Sequence, residues 1–158
     1  MQPRRLALML PLALLLVACG ASSNVRQAAP PLDYATLVQR LRADGATVEP
    51  AGDASAYPLV TPSGRMIHLN GESVKVFEYQ DARSAQTEAT QISPGGTTRD
   101  WQESDGSGHS VVMDFVYAPR WYQAGRLIVL YVGTVNAVGN LLQRELGAPF
   151  AGPYARQD

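Results

Sequence analysis

The chain has 158 residues, with 13 Lys and Arg set against 14 Asp and Glu for a net charge of −1. Acidic and basic residues are interspersed, which leaves no basic face and excludes nucleic acid as an expected partner. Cys19 is the only cysteine, so no disulfide framework is available and a folded body must stand on its core.

The chain opens with Arg4 and Arg5, runs through the apolar stretch Leu6 to Val17, and reaches Ala18 before Cys19. A basic start, a short apolar stretch and a small residue predict a secretory signal peptide over 1–18. The stretch is too short to span a bilayer, which takes about 20 residues, and no later segment is longer. Leu16-Val17-Ala18-Cys19 resembles the lipobox of bacterial lipoproteins. The resemblance implies cleavage after Ala18, diacylglycerol on the Cys19 sulfur and an acyl chain on the new amino group. Several acyl chains on one residue hold a protein at a lipid surface, because each buried CH₂ contributes about 0.8 kcal/mol. Gly20 stands where an aspartate would resemble an inner-membrane retention signal. The expected address is therefore extracytoplasmic, anchored to the cell membrane or outer membrane and facing the periplasm or cell exterior.

Residues 19–32, small, polar and ending in Pro30-Pro31, read as a lipidated tether. A domain is expected over 33–152, with 153–158 as a short tail. Asp33 fits an N-cap before the helical spacing of Tyr34, Leu37, Val38 and Leu41, and Gly45 fits the stop, which predicts a helix over 34–44. Short edge strands are expected near 47–49 and 57–60. Asn70-Gly71 between two β-rich runs predicts a hairpin with strands over 65–69 and 73–79, since both turn residues must accept positive φ.

Asp81 is placed to cap a second helix with Ala82, Ala85, Ala89 and Ile92 inward, stopped by Ser93-Pro94-Gly95-Gly96. Strands follow over 97–102, 110–117 and 126–132, the last apolar without alternation and so central. Thr134 is the expected cap of a third helix carrying Val135, Val138, Leu141, Leu142 and Leu146 inward, with Gly147 ending it. The fold class is α+β: an antiparallel sheet of about five to six strands with three helices packed mainly on one face. The element order is similar to a split βαβ plait, but the strand count departs from it.

No spacing supplies a metal site, and no cofactor is expected. His109 lies beside Asp105 and Ser107, from which a hydrolytic site using His109 with Asp105 or Asp114 can be drawn. The strand–turn–helix elbow Gly-x-Ser-x-Gly is absent, and the Ser93–Thr98 turn lacks the lysine of a phosphate loop. Ala118 to Gly125 reads as a loop between the two best strands. Its Trp121 and Tyr122, flanked by Arg120 and Arg126, are the residue types that anchor interfaces. Asp114 in the middle of an apolar run is expected to pair with Arg126 if that face is buried.

Val76-Phe77-Glu78-Tyr79, Ile92 to Gly96, Ala118 to Gly133 and Leu146 to Gly152 together resemble small uncharacterised lipoproteins of environmental bacteria, over about residues 34–152. The resemblance implies no catalytic residue. The expected role is a membrane-anchored, non-enzymatic binding or envelope-assembly module, held to the bilayer through acylated Cys19. An envelope protein or small ligand is its expected partner, with Arg120, Trp121, Tyr122 and Arg126 as the candidate contact surface. An envelope hydrolase built on His109 is the alternative.

Overall fold

A computed structural model describes residues 32–55, 57, 59 and 64–153. The signal peptide, Cys19, nearly all of the tether and most of the tail lie outside the described residues.

The first helix, α1, spans Tyr34–Ala43, and the Asp33 carboxylate accepts the Thr36 N–H at 2.8 Å. Its stripe Leu37 and Leu41 is fully buried, and Gly45 (φ 82°) turns the chain away. Strand β1 covers Val48–Ala54, longer than expected, with a bulge between Pro50 and Asp53. Tyr57 and Leu59 sit in turn and bend, so those two positions of the second expected edge strand are not extended. Strands β2 (Gly64–Leu69) and β3 (Glu72–Glu78) form the expected hairpin, with Asn70 at φ 51° and Gly71 at φ 86°. Helix α2 (Ala82–Ala89) is capped by Asp81, which accepts the Ser84 N–H at 2.8 Å.

Strands β4 (Thr98–Gln102) and β5 (Gly108–Val112) pair as a separate antiparallel hairpin. The expected strand over 110–117 therefore ends at Val112. Its partner begins at Thr98, directly opposite Val112, so the ladder has no further residues to pair with. The segment expected as a loop is strand β6, Pro119–Ala124, joined to β7 (Leu127–Val132) by the two-residue turn Gly125-Arg126. Gly125 takes φ 55° at the first turn position, a conformation that glycine accepts freely.

Helix α3 spans Asn136–Leu146 with Val138, Leu141, Leu142 and Leu146 buried. Thr134 does not cap it. The Val135 N–H instead donates to the Tyr131 hydroxyl at 3.0 Å, so a strand side chain closes the helix start.

The main sheet has the order β1-β2-β3-β7-β6, and every neighbouring pair is antiparallel. With the β4–β5 hairpin and three helices, this is an α+β fold. The central strand β7 divides its side chains by alternation. Leu127, Val129 and Tyr131 join the core under α1 and α3, while Ile128 and Leu130 join the core under α2. Two helices thus lie on one face and the third on the other. The second face is covered over β6, β7 and the Phe77 end of β3, while Met66, Ser73 and Lys75 on β2 and β3 are half-buried or exposed.

Edge β6 is closed by the C-terminal segment. Trp121 donates its N–H to Ala151 O at 3.0 Å, and the Phe150 N–H donates to Trp121 O at 2.8 Å. Edge β1 carries a bulge, Pro50 and two carboxylates, features that discourage pairing with another strand.

Candidate functional site

The four candidate contact residues all lie on the β6–β7 hairpin, and three of them point inward. Trp121 is 0% exposed, Tyr122 1% and Arg120 7%. The Trp121 indole N–H donates to Gly96 O at 2.9 Å, and the ring meets Phe115 edge-on at 6.4 Å. The Ser93–Gly96 turn is therefore a seat for Trp121. Gly96 and Gly152 sit where a Cβ would meet the indole or the Pro119 backbone. Tyr122 faces the opposite core and donates to Gly139 O at 3.4 Å. Burial holds both the Tyr122 and the Tyr131 hydroxyls protonated above the usual tyrosine range. Arg120 lies over the Tyr131 ring at 5.6 Å, against α3 at Gly139. An exposed surface built on Arg120, Trp121 and Tyr122 is corrected accordingly: the strand is covered on both faces, and those side chains are buried.

Arg126 is partly exposed and pairs with Glu78 at 2.7 Å, not with Asp114. Glu78 also accepts the Tyr34 N–H at 3.4 Å and lies 3.8 Å from Arg65, which joins the start of α1 to the sheet. Asp114 is exposed because the strand that would have buried it ends two residues earlier.

Around His109 the hairpin tip gathers the expected residue types in an order unsuited to catalysis. Ser107 donates its hydroxyl to Asp105 Oδ1 at 2.6 Å and its backbone N–H to the same oxygen at 2.8 Å. Those two bonds lower the Asp105 pKa below the usual carboxylate value. His109 Nε2 lies 3.3 Å from Ser107 Oγ and 3.5 Å from Glu103 Oε1. In a nucleophilic triad the base takes the hydroxyl proton while the carboxylate holds the other ring nitrogen. Here the hydroxyl proton goes to the carboxylate, and one imidazole nitrogen faces both the serine and the glutamate. The ring is stacked on Trp101 at 5.1 Å and is well exposed, so water is not excluded. Asp114 lines a different depression. Among the described residues no group of three or more His, Cys, Asp or Glu could hold a metal ion.

That second depression is a groove of about 270 Å³ on the uncovered part of the sheet. Its floor is Met66, Lys75, Leu130 and Val132, with Ser73 beside them. Its overhanging wall is the irregular segment Asp114, Phe115 and Val116. The floor is rigid, being three hydrogen-bonded strands. Lys75 and Asp114 form no ion pair or side-chain hydrogen bond among the described residues. An apolar trough with one free ammonium and one free carboxylate can take an amphipathic group and orient it. Sequence reading passed over this site. The available signal was Ser73 and Lys75 alternating with Val74 and Val76 on β3, which marks a strand face left without cover.

Neither a protein family, nor a curated protein, nor a solved structure matches the chain. No helix among the described residues is long and apolar enough to cross a membrane.

Proposed function

We propose that this chain is an extracytoplasmic lipoprotein, acylated at Cys19, that works without catalysis as a binding module. Its ligand is an amphipathic group with an apolar body and an anionic end. The groove over β2, β3 and β7 receives the apolar body, and Lys75 receives the anion. The observation that carries the reading is the Lys75 ammonium, unpaired among the described residues, on an apolar, hydrogen-bonded floor facing a wall that carries Asp114. The lipobox-like Leu16–Cys19 stretch, after a basic start and a short apolar run, supports both the anchor and the compartment.

Two measurements test it. Titration of the full chain with the apolar anion 1-anilinonaphthalene-8-sulfonate should saturate at one site. Lys75→Glu should weaken that site by about tenfold, and Leu130→Arg should abolish it. Unchanged binding in both variants would remove the groove from the reading. Mass spectrometry of the mature amino terminus should find an acylated Cys19, and Cys19→Ser should release the chain from membranes.

A further inference from the structure

Among the described residues, three of the four strand edges are guarded and one is not. Edge β1 has its bulge and proline, and edge β6 has Phe150 and Ala151. The outer side of β4 is bonded to the segment after α2: Ser93 N–H donates to Thr98 O and Asp100 N–H to Gln91 O, both at 2.8 Å. The outer side of β5 has nothing beside it among the described residues.

The register says which groups are left. Glu103 N–H donates to Ser107 O and Met113 N–H to Thr97 O, so these close the two ends of the β4–β5 ladder. Bonded pairs alternate along an antiparallel ladder, which makes Trp101–His109 and Arg99–Val111 the bonded pairs between them. Gly108, Ser110 and Val112 therefore turn their N–H and C=O groups outward. No bond to these outward groups is formed by any described residue. The strand, Gly-His-Ser-Val-Val, carries no proline, lysine, carboxylate or bulge, and Val112 is 70% exposed. An edge with none of the usual guards is a template for an added strand.

We propose that the added strand is β5 of a second copy of this chain, paired antiparallel about a twofold axis at Ser110. Three outward residues at equal spacing make the edge complementary to itself. Ser110 exchanges both its bonds with Ser110 of the other copy, while Gly108 exchanges both with Val112, and Val112 with Gly108. Every outward donor and acceptor is then satisfied, and the two hairpins merge into one four-stranded sheet. Side-chain placement agrees. His109 falls opposite Val111 of the second copy, Val112 opposite a glycine, and no two like charges meet. An interface with identical patches closes at two copies. Two five-residue strands cover less area than a standard stable interface of about 1,200–2,000 Å². The association is accordingly weak, reversible and dependent on concentration.

Cysteine cross-linking of the full chain in nonionic detergent tests the register. In a bonded antiparallel pair the Cα atoms lie about 5.5 Å apart, within disulfide range. Ser110→Cys should give a disulfide-linked dimer under mild oxidation, while Thr90→Cys, exposed at the end of α2, should not. Ser110→Pro removes an outward donor that β4 does not use, so the hairpin keeps its ladder. It should leave thermal unfolding unchanged and weaken association in sedimentation by about tenfold or more. Lys75→Glu, which acts on the groove, should leave association intact. A monomer at every concentration would overturn the proposal. So would a dimer indifferent to Ser110→Pro, or equal cross-linking at Ser110 and Thr90. Recovery of a different polypeptide on this edge, lost with Ser110→Pro, would also refute the second copy as its occupant.

Discussion

Glu88 and Arg99 show what a single pair contributes to this fold. Arg99 Nε donates to Glu88 Oε1 at 2.7 Å, and Arg99 Nη2 donates to Gln91 Oε1 at 2.6 Å. The Arg99 side chain is 2% exposed and that of Glu88 9%, so each charge relies on protein partners and not on water for its solvation. The guanidinium also lies over the Trp101 ring of the same strand at 4.4 Å, and its pair with Glu88 ties the β4–β5 hairpin to α2. Removing one partner strands a buried charge, so Glu88→Ala should lower unfolding free energy by about 3–5 kcal/mol in urea titration. The paired replacement Glu88→Leu with Arg99→Met should recover most of that loss, because a well-packed apolar pair avoids the desolvation cost. Trp121→Ala is expected to cost about 3–5 kcal/mol in the same measurement, through the cavity and the lost bond to Gly96. Neither environment was legible in the sequence. Trp121 between two arginines has the composition of an exposed anchor, and only the pairing of β6 with β7 and the C-terminal segment encloses it. Arg99 reads as an ordinary strand residue until α2 is docked beside it.

Elements with local signals were the readable ones. The Asn70-Gly71 turn, the caps at Asp33 and Asp81 and the glycine stops at Gly45 and Gly147 each rest on a few neighbouring residues, and each forms as expected. Strand β6 was missed because it starts at a proline and lacks β-branched residues, while its strand character comes from β7 alongside. Strand β5 was drawn too long because the apolar run from Val111 to Val116 outlasts its partner. The caps also set a pH dependence. Asp81 accepts the backbone N–H and hydroxyl of Ser84, bonds that lower its pKa below the usual 3.8. A carboxylate with a depressed folded pKa stabilises the fold above its unfolded pKa and loses that contribution as pH falls through the folded value. Melting followed by circular dichroism should therefore show the parent losing more stability below about pH 4 than Asp81→Asn, whose amide oxygen caps without titrating.

At the scale of the whole molecule, the two faces of the sheet divide the work. One face is closed by α1 and α3 over Ile67, Leu69, Val74 and Val76. The other is closed by α2, Leu59 and the segment around Met113 over β6, β7 and the Phe77 end of β3, and the groove lies beyond that cover, along Met66, Ser73 and Lys75. The α+β class and the element order were legible because they follow from hydrophobic period and turn residues. The groove was not, because it is made by the incomplete reach of one layer, a property of the assembled body and not of any short stretch.

Leu32 accepts the Arg126 N–H at 2.9 Å, so the first described residue is fastened beside the β6–β7 turn. Val132, at the far end of β7, lines the groove about 17 Å away. If the chain is moored to lipid through Cys19, its mooring line meets the body at the β6–β7 turn, and the groove, floored by Leu130 and Val132, lies three to five residues further along β7. Anchorage of that kind works as a stand-off: it holds the groove at a remove from the point of attachment. On membrane-held protein, a fluorophore at Val116 should escape quenching by brominated lipid, whereas one at Gln123, beside the mooring, should be quenched.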